Sequence, residues 1–208
     1  MASISYAITV HNELEELTKL LNFLQMRIRE EDEIVIQYDE GGVTDEVMDY
    51  LNLMDSIHDN HKVIGFPLNN HFANYKNNLK SNCSKDYIFQ IDADEIPHEY
   101  LVEVIGEVLD TNNVDILFVP RINTVEGLTQ EHITKWGWQL SDKGWVNFPD
   151  YQTRIYRNTK DVQWMNKVHE RITGYDTFSS LPTDEQWCLY HPKQIERQEK
   201  QNEYYEKI

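Results

Sequence analysis

Two aspartates one residue apart, Asp92 and Asp94, close an apolar run from Tyr87 to Ile91 and are followed by Glu95. Carboxylates in that pattern can reach one hard cation. Their oxygens suit Mg2+ or Mn2+, ions that leave positions open for substrate phosphates. A cation held there would neutralise a departing diphosphate. In an acidic chain an Asp-x-Asp is more often a solvated loop, but the apolar run ahead of it points to the end of a buried strand. Further downstream lie Asp150, in the loop Asn147 to Gln152, the pair His169-Glu170, and His191. A carboxylate among these can take a proton from a hydroxyl nucleophile. Trp136 and Trp138 sit on a Gly-containing loop, where an indole can stack on a sugar or simply close the core. Arg154 and Arg157 can meet a phosphate, although surface pairing with the many acidic groups is the cheaper reading.

The elements that must position these groups are legible as periodicity. Ile4–Val10, Ile34–Tyr38, Lys62–Phe66, Tyr87–Ile91 and Ile116–Val119 are short apolar runs and read as buried strands. Between them, Leu14, Leu17, Leu20, Leu21, Leu24 and Ile28 recur at helical spacing, with Asn12 as the expected N-cap. Val47 to Met54, a segment through Tyr75 and Leu79, and Tyr100 to Leu109 give three more helices. Strands alternating with helices predict an α/β fold with a Rossmann-like, mostly parallel central sheet flanked by helices. Ligands of such sheets gather at the carboxyl ends of the strands. That singles out His11 to Glu13, Asp39 to Gly42, and Asp92 to Glu95. Beyond Arg121 the pattern breaks into shorter strand-like pieces, Thr153–Arg157, Lys167–Ile172 and Gln186–His191. One domain over 1–192 is expected, in two parts over 1–120 and 121–192, with a polar, helix-prone tail over 193–208.

The 208 residues are 40% hydrophobic and 12% aromatic, enough for one packed core. The net charge of −17 excludes the basic face that a nucleic-acid binder uses. An anionic ligand must therefore be held by a bound metal or a few placed cations. Cys83 and Cys188 make neither a disulfide framework nor a metal-ligand pair, and a cytoplasmic protein with reduced thiols is expected. No apolar run is long enough for a membrane span, so any membrane contact is expected to be peripheral. The sequence leaves the oligomeric state open.

Taken in order, the motifs resemble glycosyltransferase family 2, whose members have the GT-A fold. They are most similar to its compact branch of lipopolysaccharide-core glucosyltransferases. The resemblance rests on His11-Asn12-Glu13 after the first strand and on Ile34 to Asp39 followed by glycines and Thr44-Asp45. It rests further on Phe72-Ala73-Asn74-Tyr75-Lys76-Asn77, the aspartate pair, Val168-His169-Glu170, and His191. It implies a hexosyltransferase that moves a sugar from a UDP-sugar to a glycan or glycolipid hydroxyl, by metal-assisted, inverting displacement. By analogy Thr9, Val10, His11 and Glu13 line the nucleoside, and Asp39 accepts a hydrogen bond from uracil. Asp92 and Ala93 border the ribose and diphosphate. Asp94, with Asp92 and His191, holds Mn2+ or Mg2+. Glu170 is the implied general base, with Asp150 its rival, and His169 faces the acceptor beside Trp136 and Trp138. Lys76 stands where relatives carry arginine, and it keeps the charge without the planar fork. The bland readings are a helix-dipole carboxylate for Glu13 and a turn residue for Asp39.

Other readings compete. A GT-A-like nucleotidyltransferase would favour a Gly-rich phosphate loop after the first strand, and His11-Asn12-Glu13 is not one. A haloacid-dehalogenase phosphohydrolase also uses Asp-x-Asp, but after its first strand. A dinucleotide oxidoreductase lacks its G-x-G-x-x-G here. A sugar- or nucleotide-binding protein that has lost turnover remains the non-enzyme alternative.

Overall fold

The computed structural model describes residues 1–205. Its elements run β1 (Ile4–Val10), α1 (Leu14–Gln25), β2 (Glu33–Asp39), α2 (Asp45–Ile57), β3 (His61–Phe66), α3 (Phe72–Ser81) and β4 (Tyr87–Asp92). There follow β5 (Ile96–Pro97), α4 (Glu99–Asn112), β6 (Ile116–Glu126), α5 (Gln130–Trp136), β7 (Val146–Arg157), β8 (Gln163–Met165) and β9 (Arg171–Thr173). The chain continues through β10 (Phe178–Ser180), β11 (Leu189–Gln194) and α6 (Ile195–Tyr205).

The main sheet has the order β3-β2-β1-β4-β7-β6-β11-β5, and β10 also pairs with β6. Strands β1 to β4 are mutually parallel, and β7 runs antiparallel between β4 and β6. The expected mostly parallel sheet is therefore present, with one reversed strand inside it. Strand β1 is buried along nearly its whole length, as its continuous apolar run requires of a strand covered on both faces. On α1 the residues Leu17, Leu20, Leu21 and Leu24 are fully buried, one apolar stripe at helical spacing against the sheet.

After β1 the chain winds outward through β2 to β3, then returns across β1 to form β4. The strand order thus reverses between β1 and β4. The connections leave a crevice at the carboxyl ends there, the usual ligand position of such sheets. Thr9 and Asp92 are register partners at that edge. On the far side β11 runs parallel to β6 and antiparallel to β5, with Leu189 opposite Pro97 and Tyr190 opposite Ile96. That short ladder ties the chain after Asp94 to the chain before His191.

Three local expectations are corrected. Asn12 does not cap α1. Glu13 occupies the N-cap without a side-chain capping bond, and its carboxylate instead folds back to accept from the backbone N–H groups of His11 (2.9 Å) and Asn12 (3.0 Å). Of Lys167–Ile172 only Arg171 and Ile172 lie in a strand, β9, and the residues before them form the turn of the β8–β9 hairpin, with Asn166 and His169 at positive φ. The apolar-polar alternation there was too short to separate strand from turn. Gln186–His191 begins as a single 3-10 turn before β11.

Candidate active site

A cavity of about 720 Å3 opens over the crevice between β1 and β4. Thr9, Val10, His11, Glu13, Asp39, Lys76, Asp92, Ala93, Asp94, His169, Glu170 and His191 all line it. Positions as far apart in sequence as 9 and 191 meet because the sheet order folds them onto one edge. Asp150, Trp136 and Trp138 do not line this cavity.

At the β2 end, Asp39 accepts from the backbone of Gly41 (3.1 Å) and Leu68 (3.0 Å), and His11 Nδ1 approaches its other oxygen at 3.2 Å. The turn-residue reading and a wall position are thus both met. Gly42 makes room for this pair, since a Cβ there would lie 1.6 Å from His11 Cε1. Tyr75 of α3 completes this wall, its hydroxyl donating to the Gln37 carbonyl at 3.2 Å while the Gln37 amide donates to the Tyr75 carbonyl at 2.8 Å.

At the centre, Thr9 Oγ1 donates to Asp92 Oδ1 (2.9 Å), and Arg154 Nη2 donates to Asp92 Oδ2 (2.5 Å) and Glu95 Oε1 (2.6 Å). Arg154 is 4% exposed and Glu95 is fully buried, so the surface-pair reading of Arg154 is wrong. Arg157, paired with Asp115 at 3.2 Å and partly exposed, does fit it. Strand pairing explains the difference. Phe118 faces Thr153 and Leu117 faces Ile155, which leaves Arg154 as the extra residue of a bulge, a device that re-aims a side chain. Burial alone would raise the Asp92 pKa, but the charges of Arg154 and Lys76 outweigh it and hold the carboxyl well below its usual range.

The network continues outward. Arg121 donates to Glu95 (2.9 Å) and twice to Asp150 Oδ2 (2.9 and 2.7 Å). Asn123 and Gln152 fill the remaining positions on the Asp150 carboxylate. Burial raises the Asp150 pKa, and Arg121 with these hydrogen bonds brings it below normal. Asn123 Oδ1 lies 2.7 Å from His191 Nδ1, and His191 Nε2 lies 3.4 Å from Asp94 Oδ2. Burial raises the Asp94 pKa as well, and the His191 contact more than offsets it.

Glu170 stands on the β8–β9 turn, paired with Lys76, whose ammonium lies 4.4 Å over the Trp164 ring. Asn77 clamps the hairpin to α3. Its side chain donates to the Trp164 carbonyl (2.8 Å) and accepts from the Trp164 N–H (2.9 Å). Trp136 stacks on His132 and packs at a tilt against Trp138 on the α5 side. Trp138 lines a second cavity of about 220 Å3, which shares Arg121, His191 and Lys193 with the first.

Among the described residues no three His, Cys, Asp or Glu side chains converge as a metal cage. Asp94 and His191 nonetheless make an oxygen–nitrogen pair at the cavity wall. That suits an ion which takes its other ligands from phosphates and water. Asp92 is committed to Thr9 and Arg154, which leaves it a poorer ligand than Asp94.

The sequence singles out Glu95 only as part of the strand-end group Asp92 to Glu95, assigns no role to Arg121, Asn123 or Arg197, and favours a surface pair for Arg154. Glu95 carried a signal, one position past the aspartate pair. For Arg197, on the tail helix, the sequence offers none.

With this geometry in view, the sequence model of glycosyl transferase family 2 matches residues 5–180. The chain belongs to that family. Among solved structures it is similar to residues 1–349 of S. aureus TarS in complex with UDP-GlcNAc, at 17% identity and TM-score 0.66, covering 93% of this chain and 59% of that one. The same TarS fragment without the sugar nucleotide gives 16% identity and TM-score 0.64 over 92% of this chain and 60% of that one. At such identity the likeness shows the fold, and the chain spans only about three fifths of the TarS fragment. No curated protein matches the chain.

Proposed function

We propose that the protein transfers a hexose from a UDP-sugar to a hydroxyl of a glycan or glycolipid, with inversion. The observation that carries this reading is the convergence of Asp39, Asp92, Asp94, His191 and Glu170 on one cavity at the strand-order reversal of a family 2 fold. The TarS fragment crystallised with UDP-GlcNAc supports a uridine donor. Asp39 and the Tyr75 wall receive the base, and Thr9, Asp92 and Ala93 border the ribose and diphosphate. Asp94 and His191 would hold Mn2+ or Mg2+, and when bound that ion supplies charge stabilisation of the departing diphosphate.

Glu170 is the stronger candidate for the general base. It lines the cavity, whereas Asp150 does not and has both its oxygens bonded. Asp150 acts instead as a clamp on Arg121. His169, beside Glu170, faces the acceptor, and the acceptor chain runs toward the smaller cavity and Trp138, with Trp136 stacked behind it. A saccharide acceptor of the lipopolysaccharide-core kind fits this reading. The test is binding and hydrolysis of a panel of UDP-sugars with Mn2+. Hydrolysis of at least one is expected, and the absence of binding to every member would sink the proposal.

A further inference from the structure

The cavity wall carries several cations, and their commitments differ. Arg154 and Arg121 are held by the buried Glu95 and the partly exposed Asp92 and Asp150, and Lys76 faces Glu170. Leaving these anions uncompensated would be costly. Arg197 is different. It comes from α6, the last helix, and is 38% exposed, against 18% for Arg121 and 4% for Arg154. Its guanidinium reaches Glu13 at 2.8 Å, Glu16 at 3.4 Å and Asp94 Oδ2 at 3.3 Å. Half-exposed ion pairs of this kind contribute little to stability, so exchanging them costs little. The oxygen it contacts on Asp94 is the same one that His191 faces. The guanidinium thus stands where a cation bound between Asp94 and His191 would draw its charge compensation.

We propose that Arg197 is an exchangeable counter-ion of the site. In the ligand-free protein it neutralises Asp94. With a nucleoside diphosphate in the cavity, Arg197 turns its guanidinium fork from Asp94 onto the diphosphate, which would leave Asp94 and His191 to hold a divalent ion. Two geometric facts support the exchange. Arg197 already lines the cavity that would hold the diphosphate. A planar guanidinium matches phosphate oxygens bidentately, as an ammonium does not. Near this point α6 is held by Ile195, which packs beside Gly127, and by the pair of Glu199 with His132 at 3.5 Å, neither of which involves Arg197, so that side chain can turn without undocking the helix. The inference rests on the donor reading above.

The test uses titration calorimetry on the whole chain, with MnCl2 alone and with UDP in the presence of MnCl2, for wild type, Arg197→Ala and Arg197→Lys. Removing a competing cation should tighten Mn2+ binding in Arg197→Ala by about 2- to 5-fold. Losing the fork should weaken UDP binding by about 5- to 30-fold. Arg197→Lys should lie between wild type and Arg197→Ala in both titrations. A role limited to docking α6 would shift the melting temperature without this opposition of sign. The proposal is overturned if the two affinities move together or stay unchanged. A wild type that binds no UDP overturns the donor reading itself, which is a separate outcome from an Arg197→Ala variant that binds UDP like wild type.

Discussion

Glu170 and Arg154 are the side chains on which the site depends most directly, for different reasons. As a base, Glu170 acts on the acceptor and not on the donor. Glu170→Gln should lower transfer by about 100- to 10,000-fold, while UDP affinity by calorimetry stays near wild type. If transfer survives, Asp150 becomes the base to examine. Arg154 has a structural debt as well. Replacing it with methionine takes one of two arginine partners from the fully buried Glu95 and the arginine partner from the partly exposed Asp92. Urea denaturation should show a loss of about 3–5 kcal/mol. A variant as stable as wild type would mean that water or Arg121 can compensate those charges. The aspartates were legible because carboxylates stand out after an apolar run, whereas His191 and Glu170 were legible only through the family resemblance. The arginines were not, because an arginine in a short strand has the same appearance whether a bulge turns it inward or leaves it at the surface.

Among the elements, the β8–β9 hairpin carries Glu170, the general base of the proposed reaction. Asn77 holds it to α3, and Gly174 allows its far end to close, since a Cβ at Gly174 would lie 1.8 Å from the Asp161 carbonyl oxygen. Gly174→Ala must push this backbone apart, with φ already at +76°. The expected result is a fall in the rate of transfer with UDP affinity retained, because the donor wall belongs to β1, β2 and β4. Equal loss of both would show that the hairpin supports the whole cavity. Asn77→Ala removes two hydrogen bonds and should destabilise by about 1–3 kcal/mol in the same urea assay. The first four strands and the helices between them were readable from periodicity, because a sheet buried on both faces writes itself as unbroken apolar runs. The hairpin turn was not. Its residues are polar, and its conformation depends on a helix some ninety positions earlier.

At the scale of the molecule, stability depends on pH through groups far from the cavity as well as within it. Burial, and then the neighbouring His58, push the His61 imidazole down from 6.5 to about 4. Above pH 6.5 both the folded and unfolded chains keep it neutral. Between 6.5 and 4 the unfolded chain takes up a proton that the folded chain refuses. Stability therefore falls as the pH drops across that window, by about 3 kcal/mol in full. His61→Phe should flatten this part of the profile in chemical denaturation at stepped pH, and an unchanged slope would place the effect elsewhere. Asp92, Asp94 and Asp150, held below their usual range, add a further loss at lower pH as they protonate. The two-residue ladder between β5 and β11 has a different kind of consequence. Side chains alternate faces along a strand, so a shift of one position there would turn His191 away from Asp94. A single inserted residue between Asp94 and Ile96, or between Tyr190 and His191, would separate the pair, whereas an insertion in an exposed turn away from this ladder would leave its register intact.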